Sequence, residues 1–181
     1  VRSGARDRLI AAAERLFYAE GIRAVGVDRL CAEAGVSKRS LYQHFAGKDD
    51  VVTVMLQAKA AEALAHLAPS DTPPRQRILW VFDQLDRLSG SPDFHGCPFV
   101  GAATELKDRD HPAVQVARAE KIALTRYFAD ALRGGGVDDP DAVALQLMLV
   151  FDGASAYSVV HGEATPATRQ AVTTLLAAAG M

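Results

Sequence analysis

Cysteine is scarce: the 181 residues hold only Cys31 and Cys97, far apart in the chain. Two distant thiols on different predicted helices make no disulfide framework and fit a reducing cytoplasm. Strand signals are missing as well. No segment alternates apolar with polar residues, no glycine turn joins two such segments, and no repeat is present, which leaves an all-α fold. No glycine-rich loop follows a strand, which removes the nucleotide-binding enzyme classes. No basic segment followed by an apolar one resembles a secretory signal. The net charge of −2 does not advertise nucleic acid over the chain as a whole.

Catalytic groupings are equally sparse. His95 and Cys97 with Asp93, or His111 with Asp108 and Asp110, are the best candidates, and neither set has a matched base, nucleophile and orienting group at a recognisable spacing. His95-Gly96-Cys97 offers two metal ligands two residues apart, which is a weak pattern. No catalytic residue, metal or cofactor is therefore expected. Apolar residues make up 49% of the chain, enough to fill the core of one large or two small domains.

The most informative stretch is Gly35-Val36-Ser37-Lys38-Arg39-Ser40-Leu41-Tyr42-Gln43-His44-Phe45-Ala46-Gly47-Lys48. Gly35 ends one helix and Ser37 caps the next. On a period of 3.6, Leu41 and Phe45 share a face, Arg39 and Gln43 point away from it, Ser40 lies beside them, and Tyr42 and His44 flank. Arg pairs bidentately with guanine and Gln with adenine, while Tyr, His, Ser and Lys suit phosphates. Lys48 falls at the start of the following helix, where backbone amides also favour an anion. Upstream, Val27–Ala34 places Val27, Leu30, Cys31 and Ala34 on one side of a short helix, giving helix-turn-helix spacing. Arg6–Glu20, with Leu9, Ile10, Ala13, Leu16 and Phe17 at helical intervals and a stop at Gly21, supplies a third helix. Residues 1–60 carry a net +3 and the remainder −5, so the basic end is also the motif end.

These elements, Leu9-Ile10-Ala11-Ala12-Ala13-Glu14-Arg15-Leu16-Phe17, Gly21, Ala32-Glu33-Ala34-Gly35-Val36-Ser37-Lys38, Leu41-Tyr42-Gln43-His44-Phe45 and Lys48, resemble the amino-terminal domain of tetracycline-repressor-family transcriptional regulators over the first third of the chain. The resemblance implies a homodimer that binds double-stranded palindromic operator DNA through two headpieces and is released by a small ligand held in a helical carboxy-terminal domain. Carried over by position, backbone contacts fall on Tyr42, His44 and Lys48, and base-reading positions on Lys38, Arg39 and Gln43; Ser37 and Ser40 complete the candidate DNA face. Two departures stand out. Val25-Gly26 replaces the hydroxyl residue that often precedes the second helix, so no phosphate role passes to it. Arg39 stands where relatives commonly have a small residue.

The expected organisation is a DNA-binding domain over 1–47 and a helical effector-binding and dimerisation domain over 48–181, with 48–66 as a connecting helix. Helices are expected over Arg75–Leu88, Cys97–Leu106, from the Asp110-His111-Pro112 start to Arg133, Asp141–His161 and Thr165–Ala179. The last two, one apolar on several faces and the other rich in small residues together with Val172, Leu175 and Leu176, are expected to form a four-helix subunit interface; internal core is the alternative. Gln146, Asp152, Gly153 and two serines interrupt Asp141–His161, which argues against a membrane span. For the effector, Trp80, Phe82, Phe99, Tyr127, Phe128, Met148, Phe151 and Tyr157 offer an apolar lining, with Gln84, His95 and Asp152 for polarity. The function expected is a cytoplasmic, ligand-responsive repressor relieved by a small, largely apolar effector. The competing reading is a helical protein-interaction module that keeps the headpiece without a ligand response.

Overall fold

Glycine and proline punctuate the chain so regularly that most helix boundaries coincide with one of them. The computed structural model describes residues 4–181. Among these the chain forms nine helices and no strand: α1 Ala5–Glu20, α2 Val27–Ala34, α3 Lys38–His44, α4 Lys48–Ala65, α5 Pro74–Ser89, α6 Pro98–Leu106, α7 Pro112–Gly134, α8 Pro140–His161 and α9 Pro166–Ala178. The last five each open on a proline, the position where a missing N–H has no helical partner to lose and a fixed φ already suits the helix. Side chains close several starts: Asp139 accepts from the Ala142 amide at α8, and Thr165 from the Ala167 amide at α9.

The chain divides into two compact units, one of the described residues up to 62 together with Pro98–Ala119, the other of Ala63–Cys97 and Glu120–Met181. The first unit packs α1, α2 and α3 against one another. Leu9, Ala12, Ala13, Leu16 and Phe17 of α1 face Leu30, Cys31 and Ala34 of α2 and Leu41 of α3, all buried. Each fully buried Leu or Phe contributes about 1.5–3 kcal/mol. Compactness draws its line at a different place from residue 47, because α4 buries Val51, Val52, Met55 and Leu56 in the same unit and side chains of α4 and α6 hydrogen-bond to the loop that follows α1.

In the second unit α5, α8 and α9 pack together, and α7 adds Leu124, Phe128 and Leu132 to a core with Ile78, Phe82, Ala144, Leu147, Val172 and Leu176. The Phe82 and Phe128 rings stack at 5.8 Å between centroids, with Phe151 edge-on to Phe82 at 6.0 Å. Val172 and Leu176 are fully buried, so these two apolar residues of α9 belong to the core of their own unit. The helix α8 is long and apolar enough, by length and composition, to cross a membrane. One of its faces fills the core, while Leu145, Leu149 and Val160 stand 58%, 74% and 78% exposed.

Candidate nucleic-acid interface

The turn between α2 and α3 is built by backbone hydrogen bonds that only a left-handed residue allows. Gly35 has φ 62° and ψ 40°, its N–H donates to the Ala32 carbonyl, and the Val36 N–H donates to the Cys31 carbonyl. This pair of bonds satisfies the last carbonyls of α2 and turns the chain sharply. One residue further on, Ser37 Oγ accepts from the Ser40 N–H at 3.1 Å, capping α3 as its sequence position predicts. Leu41, fully buried, and Phe45, 3% exposed, then fix the rotation of α3 about its axis.

With that rotation set, Arg39 and Gln43 are exposed on the opposite side, Tyr42, 58% exposed, and His44 are exposed on its flanks, and Ser40 is half-buried beside them. The sequence-derived face is thus physically assembled on seven residues of helix. Lys38 is also exposed, but its ammonium lies 2.5 Å from the Asp28 carboxylate in the first turn of α2. Hydrogen bonding to Asp28 raises the Lys38 pKa further, so the residue stays cationic throughout the physiological range. Behind this face, Arg15 and Arg29 bracket Glu33 at 2.8 and 3.2 Å, and the hydrogen bond from Arg15 holds the Glu33 carboxyl below its usual range. Such exposed pairs contribute little stability.

Lys48 is placed differently from a purely DNA-facing residue. Its Nζ donates to the carbonyls of Ile22 at 2.9 Å and Val25 at 3.2 Å, occupying two of its three donors in the loop between α1 and α2. The first turn of α4 also carries Asp49 and Asp50, and Asp50 accepts from the Ala46 amide. Sequence reasoning missed the loop contact, because nothing local links residues 22 and 25 to residue 48.

The residues expected to hold an effector are brought together only in part. Phe82, Phe128 and Met148 form one buried cluster with Tyr127 and Phe151 against it. The Tyr127 hydroxyl donates to the Ala68 and Arg77 carbonyls, at 3.3 and 3.4 Å, and the Arg77 guanidinium lies 4.6 Å above the Tyr127 ring. Asp152 pairs with Lys121 at 2.7 Å, and that ammonium also sits 5.1 Å from the Phe151 ring centre. Gln84 keeps a buried Nε2, and Glu120 a buried Oε2, without a hydrogen-bond partner within the protein. Burial pushes the Glu120 carboxyl above its ordinary range. Trp80 stands 43% exposed with its Nε1 donating to the His66 carbonyl, and His95 is exposed in the segment before α6. Phe99 is buried in α6, which belongs to the first unit. Lys121, Arg77 and Glu120 carry no sequence signal that singles them out, since single charges on long helices read as ordinary solvated positions.

Of the groups weighed for catalysis, His111, Asp108 and Asp110 make contacts close to the start of α7. His111 Nδ1 accepts from the Ala113 amide at the start of α7, its Nε2 faces Asp49 at 3.6 Å, and Asp108 accepts from the Asp110 amide in a turn.

Residues 9–55, which span α1 to the first half of α4, match the family of bacterial regulatory proteins of the tetR type. The whole chain is similar to the crystal structure of a TetR-type transcriptional regulator from Streptomyces avermitilis, at 43% identity, a TM-score of 0.93, and coverage of 99% of this chain and 100% of the other. A TetR-family regulator from Streptomyces coelicolor follows at 31% identity, a TM-score of 0.82, and coverage of 95% and 90%. The transcriptional regulator TtgR of Pseudomonas putida is 27% identical over 165 residues, 82% of this chain and 77% of the relative. With likeness of this extent over the full length and a built helix-turn-helix at the motif, the chain belongs to the TetR family of DNA-binding transcriptional regulators and is not an enzyme.

Proposed function

We propose that this regulator acts in the cytoplasm as a homodimeric repressor that binds a palindromic operator and is released by a small, largely apolar effector. The observation that carries the reading is the exposed Arg39–Gln43 face of α3, held outward by Leu41 and Phe45 beneath it. Arg39 and Gln43 read base edges in the major groove; Tyr42, His44, Ser37 and Ser40 contact the phosphate backbone, with Lys38 reaching DNA once it leaves Asp28. Lys48 contributes through the α4 start while its side chain holds the loop behind.

Dimerisation is assigned to α8 and α9. Leu145, Leu149, Gly153, Ala156 and Val160 recur at intervals of three and four, which sets them on one exposed face of α8. Beside it runs an open groove lined by Val150, Ala167, Gln170, Ala171, Thr174 and Leu175. An apolar helix face of this length is what a second copy of the chain would cover. The effector is assigned to the aromatic cluster around Phe82, Phe128, Met148 and Phe151, with Asp152 and Gln84 supplying polarity. Binding to duplexes selected from a random-sequence pool, followed by titration of apolar compounds against the complex, tests the reading: selection of a palindrome and its release by a ligand support it, and binding without sequence preference overturns it.

A further inference from the structure

The loop from Gly21 to Val25 joins α1 to the first helix of the helix-turn-helix and is held from two sides by residues far away in sequence. From α4, the Lys48 ammonium donates to the Ile22 and Val25 carbonyls. From the end of α6, a Glu105 carboxylate oxygen accepts from the Arg23 backbone N–H at 3.0 Å, and the Arg23 guanidinium reaches the Leu106 carbonyl at 3.5 Å. Gly21 makes the approach possible. It has φ 89°, and a Cβ there would stand 3.1 and 3.3 Å from the two Glu105 oxygens. Ile22 and Val25 are buried, at 4% and 0% exposure, so the clamped loop is part of the packed unit and sets where α2 starts.

We infer that Glu105 is a positioning residue for operator binding: its carboxylate, opposite Lys48, fixes the loop that orients α2 and therefore the recognition helix packed on it. This rests on the operator-binding reading above. Glu105 touches no DNA in this scheme, and its charge has the wrong sign for DNA. That fact makes the inference testable by sign. If only charge mattered, removing this carboxylate would tighten binding to phosphates. If the hydrogen bond to Arg23 matters, losing it leaves a loop that must be ordered on binding, and affinity falls.

The experiment compares wild type, Glu105→Ala, Glu105→Asp and Glu105→Gln on a duplex selected from a random pool by the wild-type protein and on a scrambled duplex, with folded fraction measured by circular dichroism and Arg23 amide exchange followed in the DNA-free protein. Glu105→Ala and the shorter Glu105→Asp are expected to bind the selected duplex about 3- to 10-fold more weakly, the net scale of one ordinary hydrogen bond, and to exchange the Arg23 amide faster. Glu105→Gln, which keeps an acceptor at full reach, is expected to match or exceed wild type. Should Glu105→Ala fail to fold, the contrast between Glu105→Asp and Glu105→Gln decides. Equal or tighter binding by Glu105→Asp, or a loss in Glu105→Gln as large as in Glu105→Asp, overturns the assignment. Failure of the wild-type protein to select any sequence overturns the operator-binding reading itself, a result distinct from a selected duplex that all variants bind alike.

Discussion

Single side chains on and behind α3 divide into those that face outward and those that hold the scaffold. Arg39 and Gln43 stand exposed, whereas Lys38 is paired with Asp28 and Lys48 with two carbonyls. Replacing Arg39 or Gln43 by Ala is expected to cost about 1–3 kcal/mol at one operator position and to relax base preference there, while leaving binding to random DNA much less affected. Competition binding with operators altered one base pair at a time measures this, and equal losses on operator and random DNA would remove the base-reading role. Lys48→Ala is expected to do something different. It leaves the carbonyls of two buried residues without their charged donor, so stability in urea should fall by about 1–3 kcal/mol, an effect that loss of a phosphate contact alone would not produce.

At the scale of helices, periodicity and punctuation carried most of the fold into view. Gly35 and Ser37 announce the turn and the cap, and Pro74, Pro98, Pro112, Pro140 and Pro166 mark starts, because each of these residues acts through its own backbone or immediate neighbours. Contacts made across the sequence leave no such trace. Arg23 with Glu105, 82 residues apart, joins positions that read as unremarkable solvated charges, and Asp152, singled out only as a polar group for an effector, gives no hint of its partner Lys121, 31 residues away. In α8, apolar residues surround the helix, so the sequence could not separate the core side, with Leu147 fully buried, from the uncovered side, with Leu149 74% exposed. For α9 it likewise left Leu176 open to an interface role, whereas the fold buries it. Two substitutions now separate these sides. Leu149→Glu is expected to yield a folded monomer by sedimentation, since a second copy could cover it only by desolvating an unpaired carboxylate. Leu176→Ala is expected to destabilise the chain by about 2–5 kcal/mol through a cavity in its core. A fully dimeric Leu149→Glu protein would take the α8 face out of the interface.

For the whole molecule, the proposed effector and operator must oppose each other through one conformational equilibrium. A ligand weakens operator binding only if it prefers the DNA-incompetent arrangement, and linkage then requires the operator to weaken ligand binding by the same factor, typically about 1–3 kcal/mol. Calorimetric titration of a candidate effector into the protein alone and into its operator complex reads that factor. Equal affinity in both would make the compound a bystander. A deeper question precedes it, which is whether the headpiece specifies a sequence at all. The most direct measurement is fluorescence anisotropy at physiological salt on a selected palindrome and on a scrambled duplex of the same length. The expected result is one dimer per palindrome and a preference of at least about 10³-fold over the scrambled duplex. Equal affinity for both, or binding of the palindrome by a single protomer without loss of affinity, would contradict the assignment of a sequence-specific dimeric regulator.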